Sequence, residues 1–180
     1  IDRTYRFLIG GQLVRPDEGY SFEIHNTSNQ CIAVIGNANR KDVRNAVEAA
    51  RKALPDWDYN PSQHLRAQLL YFLAENLSAH KHQLIKAVAA RHLPADEPAL
   101  VYRRAMREVE LSIVRLFYWA ALADKFEGTV QSVPGRMTVL ASKEPIGVIG
   151  IRMPDEPSIL GVISTIAPAI AMGNCVAAVA

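Results

Sequence analysis

Three patterns of apolar and polar residues succeed one another along this chain. The first 35 residues carry short apolar stretches separated by polar turns, a strand pattern. Phe7, Leu8 and Ile9 lead into the turn pair Gly10-Gly11 and then Gln12, Leu13 and Val14. Residues 20–25 alternate and 31–35 form an apolar run, with turns at 15–19 and 26–30. From residue 39 the spacing changes to three and four. Asn39 offers an N-cap with Asp42 three positions on, and Val43, Ala46, Val47, Ala50 and Leu54 follow on one helical side until Pro55, which predicts a break. A second helix is predicted after Pro61-Ser62, with Leu65, Leu69, Phe72, Leu73 and Leu77 as its apolar side. A short third helix covers about 81–90 and ends before Pro94. The longest covers about 98–124, with Met106, Val109, Ile113, Leu116, Phe117, Ala120 and Ala123 in register.

After Gly128 the strand pattern returns, at 137–140 and again at 146–151. The second run has no polar residue, which predicts a central parallel strand buried on both faces. A helix opening at Pro157 or Ser158 and running to about Ala171 is closed by Gly173-Asn174, and 175–179 reads as the next strand. Strand, helix and parallel strand make a βαβ unit, so the expected class is α/β. A free parallel edge needs cover, so the chain is expected to be the front part of a longer polypeptide. The uncharged run 158–180 raises the alternative of a membrane tail anchor. Pro168 and Gly173-Asn174 interrupt it at turn-like spacing and favour the helix, turn and strand.

Composition changes this picture little. With 49% hydrophobic and 21% charged residues the chain has an ordinary globular balance, and a net charge of +2 gives no case for nucleic acid. Arg103, Arg104 and Arg107 cluster, which reads as a solvated helix face. Cys31 and Cys175 lie in apolar runs without metal-type partners close in sequence, as buried thiols of a reducing, cytoplasmic setting. The first residues carry no charged-then-apolar targeting pattern.

Candidate chemistry centres on the turn Pro154-Asp155-Glu156-Pro157, where a strand hands over to a helix. Asp155 and Glu156 could act as an acid/base pair, but neighbours in a turn point apart and helix starts attract acidic groups, so capping is the expected role. Gly147 and Gly150 are not a dinucleotide fingerprint, because that pattern belongs at the strand-to-helix turn and no glycine stands there. His80 and His82 are two apart on a helix and face different ways, so no shared metal site is expected. Cys31 heads an apolar run rather than sitting in an electropositive, exposed setting, which argues against a nucleophile.

Five segments, FLIGGQLV at 7–14, DVRNAVEAARKALPDW at 42–57, WAALADKFEG at 119–128, EPIGVIGI at 144–151 and APAIAMGNCV at 167–176, resemble in order and spacing the N-terminal part of the aldehyde dehydrogenase superfamily. The resemblance implies two parts. Residues 1–144 would hold strands, helices and part of an oligomerisation hairpin at 137–143; residues 145–180 would begin a doubly wound, Rossmann-like NAD(P)-binding domain. It implies a cofactor, NAD or NADP, met at the strand end by Ile151, Arg152, Met153 and Pro154. It also implies a homo-oligomer, with the family's cysteine nucleophile and glutamate base lying beyond residue 180.

Departures from the family pattern weigh against activity in this segment. The family strand leads into a Pro-Trp-Asn-Phe-Pro turn whose Asn amide helps hold the oxyanion, and Glu156 stands at that Asn position here. A carboxylate supplies no donor and adds repulsion; losing one donor alone costs about a hundred- to a thousandfold in rate. Arg152 replaces a small or apolar residue, which argues against cofactor entry, and the family's Glu-Thr-Gly-Lys stretch is altered to Ala90-Arg91-His92-Leu93. The acidic turn is similar to that of the non-catalytic second module of tandem family-16 aldehyde dehydrogenases. The segment is therefore expected to be structural, with no catalytic or metal-binding residue of its own, and to partner the rest of its polypeptide or a catalytic aldehyde dehydrogenase module. The alternative is the front part of a working aldehyde oxidoreductase.

Overall fold

The computed structural model describes residues 4–58, 62–126, 128–135 and 137–180. Ile1, Asp2 and Arg3, the predicted helix opener Pro61, and Glu127 of the third resembling segment lie outside the described residues.

Near the start, β1 (Thr4–Tyr5) pairs parallel with β5 (Cys31–Gly36), which pairs antiparallel with β4 (Ser21–His25). β1 is an element the sequence pattern did not reveal, since two residues show no period. The strands β2 (Phe7–Ile9) and β3 (Gln12–Val14) form a hairpin whose turn residues Gly10 and Gly11 both have positive φ, 59° and 76°. That is the tight hairpin turn that Gly-Gly favours.

The helix α1 spans Arg40–Asp58 and opens on the expected box. Asn39 Oδ1 accepts from the Lys41 and Asp42 amides at 2.8 and 3.0 Å, and Asp42 Oδ2 accepts from the Asn39 amide at 3.0 Å. Asp42 also accepts from the Asp17 amide at 3.1 Å, while Lys41 holds the Asp17 carboxyl below its ordinary range. The predicted break at Pro55 does not occur, because α1 continues through it. A proline costs the hydrogen bond to the carbonyl four residues back. Pro55 lies in the last turn, and outside bonds hold that turn: Trp57 Nε1 donates to the Ile170 carbonyl at 3.1 Å, and Arg66 Nη1 donates to the Trp57 carbonyl at 3.4 Å.

Three further helices follow: α2 (Gln63–Ala79), α3 (Lys81–Ala90) and α4 (Pro98–Leu122). The hairpin of β6 (Thr129–Val133) and β7 (Met137–Ala141) comes next, and the chain ends on β8 (Val148–Arg152), α5 (Ser158–Ala171) and β9 (Cys175–Val179). β8 and β9 are parallel and in register from Val148↔Cys175 to Arg152↔Val179, so the expected βαβ unit is present.

Ala67, Leu70 and Ala74 of α2, Leu116 and Ala120 of α4, and Ala167 and Ala171 of α5 form the core, with Ala123. Small side chains let the three helices approach closely. This reverses the sidedness expected for α2: Leu65, Leu69, Phe72 and Leu73 are exposed, at 43, 46, 66 and 40%. Met106, expected in the α4 core, is likewise 41% exposed, and Ser112 is buried in its stead. The predicted strand 146–151 also shifts. Ile146 is 90% exposed, Gly147 turns with φ 123°, and within β8 Gly150 and Arg152 are exposed, so this strand is not buried on both faces. Among the described residues β9 is the sole strand neighbour of β8. The uncharged run 158–180 resolves into helix and strand, and no described helix is long and apolar enough to cross a membrane.

Candidate active-site turn

The segment from Ile151 to Ser158 leaves β8 and enters α5 along one edge of the molecule. Ile151 and Met153 are half-buried, Arg152 and Pro154 exposed. The Met153 amide donates to the Val179 carbonyl at 2.7 Å, extending the β8–β9 ladder by one bond. Met153 Sδ receives the Thr165 hydroxyl at 3.6 Å. Pro154 lies on Gly161 of α5, where an added Cβ would stand 2.5 Å from Pro154 Cγ. The glycine therefore permits the close approach of helix and turn.

The first α5 amides take their bonds from neither Asp155 nor Glu156 but from a residue of another helix. Arg91 Nη1 donates to the Asp155 carbonyl at 3.0 Å, and His92 Nε2 lies 3.7 Å from Glu156 Oε1. Both partners sit just past α3, so residues 64 apart in sequence meet in space. The 91–94 stretch is held in turn from the β4–β5 loop, where the Thr27 amide donates to the Arg91 carbonyl at 3.2 Å.

Capping of α5 falls to Glu108 of α4, a residue the sequence reading missed. Its Oε1 accepts from the Ile159 amide at 2.8 Å, the Leu160 amide at 3.3 Å and the Ser158 hydroxyl at 3.1 Å. The N-cap position itself is Pro157, whose side chain has no acceptor to offer, so the first-turn donors need one from elsewhere. A carboxylate there is favoured by both the free N–H groups and the helix dipole. A signal was available: Glu108 lies between Ala105 and Ser112, three and four residues away on one side of α4, and both of those are buried. A charge on a buried side needs a partner.

A cavity of about 440 Å³ opens beside this arrangement, between Val88, Arg91, His92, Arg104, Glu108 and Glu156. A larger one, about 770 Å³, lies at the other end of β8, among Arg66, Phe126, Lys143 and Ile146, away from the turn. Of the two cysteines, Cys175 is at the start of β9, where burial pushes its thiol up and away from thiolate chemistry. Cys31 heads β5 beside Glu23 and His25, far in sequence from the turn.

The aldehyde dehydrogenase family profile matches residues 14–178. A mitochondrial aldehyde dehydrogenase of Leishmania tarentolae is 33% identical over 173 residues, which cover 95% of this chain and 33% of that protein. The cytosolic 10-formyltetrahydrofolate dehydrogenase of Pongo abelii is 30% identical over 96% of the chain and 19% of its own length. Among solved structures, an aldehyde dehydrogenase of Bacillus cereus superposes with a TM-score of 0.90 at 23% identity, covering 98% of this chain and 35% of that one. Betaine aldehyde dehydrogenase of Staphylococcus aureus gives 0.86 at 22% identity over 96% and 34%. The chain spans about a third or less of these proteins' length. The mixed α/β architecture expected from the sequence is thus the one these structures share, and the chain belongs to the aldehyde dehydrogenase family.

Proposed function

We propose that this chain is a structural module of an aldehyde dehydrogenase-type protein whose own strand-to-helix turn has left catalysis. The parent activity would be the family's NAD(P)-dependent oxidation of an aldehyde to an acid, carried out by residues outside this segment. One observation carries the reading: Glu156, an acceptor with an exposed carboxylate beside His92, stands where the family has an amide donor. Stabilising an oxyanion requires donors aimed at the developing charge.

The cofactor side supports the same reading. The Staphylococcus enzyme was solved with NAD+, which makes a nicotinamide dinucleotide the family-level expectation. The residues here do not fit its phosphates at the helix start. The α5 amides that would meet an anion are already bonded to Glu108, and a phosphate would face that carboxylate. The Met153 amide is spent on Val179, and the cationic Arg152 projects at the strand end. Ile151, Arg152, Met153 and Pro154 accordingly serve as sheet edge and support for the turn rather than as a cofactor cradle.

The hairpin β6–β7 supports a role in assembly. Val130 and Leu140 pair across it and are 72 and 75% exposed, an apolar pair that no other described residue covers. It would join like copies or a catalytic module of the same family.

The test measures NAD(P)+-dependent aldehyde oxidation by the full-length protein before and after Glu156→Asn, with calorimetric titration of NAD+ and NADP+ into the chain. The module reading expects unchanged turnover and no heat of binding. Turnover that rises about a hundredfold, the worth of one oxyanion donor, or tight dinucleotide binding by the chain, overturns it.

A further inference from the structure

We infer that Glu23, His25 and Cys31 form a binding site for a divalent transition-metal ion of the zinc type on the β4–β5 hairpin. This inference is independent of the module reading and lies outside the turn. One ligand atom from each residue, a carboxylate oxygen, an imidazole nitrogen and the thiol sulfur, falls within 4.8 Å of the other two. The His25 Nε2 to Glu23 Oε2 distance is 3.2 Å. Cys31 is in no disulfide, and among the described residues its sulfur makes a long contact, 3.6 Å, to the Ala33 carbonyl.

The backbone explains why these three meet. Glu23 and His25 are two apart on β4 and share a face, with Ile24 turned to the other. In an unbroken ladder Ile32 would stand opposite His25. The register slips between Ile24 and His25, so Ile24 pairs with Ala33 while His25 pairs with Cys31. A bulge of this kind re-aims a side chain, and here it exchanges an apolar group for a sulfur ligand.

The donor set selects the ion. Thiolate with imidazole and a single carboxylate suits zinc-type ions, whereas magnesium and calcium prefer all-oxygen shells. Three protein ligands leave a fourth tetrahedral position for water. On binding, the Cys31 thiol gives its proton to solvent and the sulfur coordinates as thiolate. The ion would pin the end of β4 to the start of β5 and so brace the loop between them. Thr27 of that loop holds the 91–94 stretch through the Arg91 and Pro94 carbonyls.

The experiment titrates Co2+ into the full chain, followed by Zn2+ in competition. Expected is a near-ultraviolet sulfur-to-cobalt charge-transfer band that saturates at one equivalent, is erased by Zn2+ and ignores Mg2+. It persists in Cys175→Ser and is lost in Cys31→Ser. The exposed substitutions His25→Ala and Glu23→Gln keep both thiols and should weaken binding by about tenfold or more, since even outer-shell changes cost that much. Absence of the band in the unaltered chain, its survival in Cys31→Ser, or unchanged affinity in both His25→Ala and Glu23→Gln overturns the site.

Discussion

Glu108 shows how one side chain settles the geometry around it. A single carboxylate oxygen serves two amides and a hydroxyl at the start of α5, from a position 50 residues before Ser158. Removing it strands these donors, so Glu108→Ala should lower stability by about 1–3 kcal/mol, the penalty of unpaired polar groups. Glu108→Gln keeps an acceptor and loses the charge, and should cost about 0.5–1 kcal/mol through the helix dipole. Urea unfolding of the two variants separates these cases; equal losses would show that charge, not pairing, dominates. The sequence did not disclose this link because an isolated Glu in a long helix is most simply read as solvated. Only its register with Ala105 and Ser112 argues otherwise. The acidic pair at the turn misleads for a related reason: position next to a helix start suggests capping, while Glu108, distant in sequence, takes the α5 donors and Glu156 lies beside His92.

At the level of elements, periodicity located α1, α2 and α4, because an amphipathic repeat survives whatever covers it, while breakers at Pro94, Pro157 and Gly173-Asn174 bounded α3, α5 and the βαβ unit. It did not reveal which side is covered. Hydrophobicity favours the Leu65–Leu69–Phe72–Leu73 side of α2, yet close helix packing selected Ala67, Leu70 and Ala74. Pro55 was read as a stop because its local cost is real; tertiary bonds to Trp57 overrode it. The same balance of local and tertiary terms makes Gly161 informative. Alanine in a helix is ordinarily better than glycine by about 1 kcal/mol. Here its Cβ would press on the Pro154 ring, which cannot swing aside as a flexible side chain would. Gly161→Ala should therefore destabilise the chain by about 1–3 kcal/mol, as overpacking does. A gain in the thermal midpoint would mean that the turn yields freely.

Taken whole, the molecule keeps its fold on an alanine-rich core while leaving large apolar groups outside, on α2 and on the β6–β7 hairpin. The family resemblance was legible because five segments kept their order, and the architecture follows from it. What covers the outer faces was not legible, since that depends on chain or copies beyond this segment's own contacts. If the hairpin is an assembly surface, Val130→Lys with Leu140→Lys in the full-length protein should shift sedimentation towards the monomer. Each buried apolar side chain is worth about 1.5–3 kcal/mol at such a contact. An unchanged sedimentation profile would assign the oligomer contact elsewhere.

The contact between the 91–92 stretch and the 155–156 turn has a consequence for any attempt to restore chemistry here. Arg91 and His92 form one half of a lock and Asp155 and Glu156 the other. Replacing Glu156 by the family's amide removes a charge from only one half. His92 would then face a neutral group, while Arg91 would still grip the backbone of the turn. Under the proposed reading, recovery of an oxyanion donor is therefore a two-segment problem. A history of single changes from this state would pass through a turn that is half locked and not yet competent.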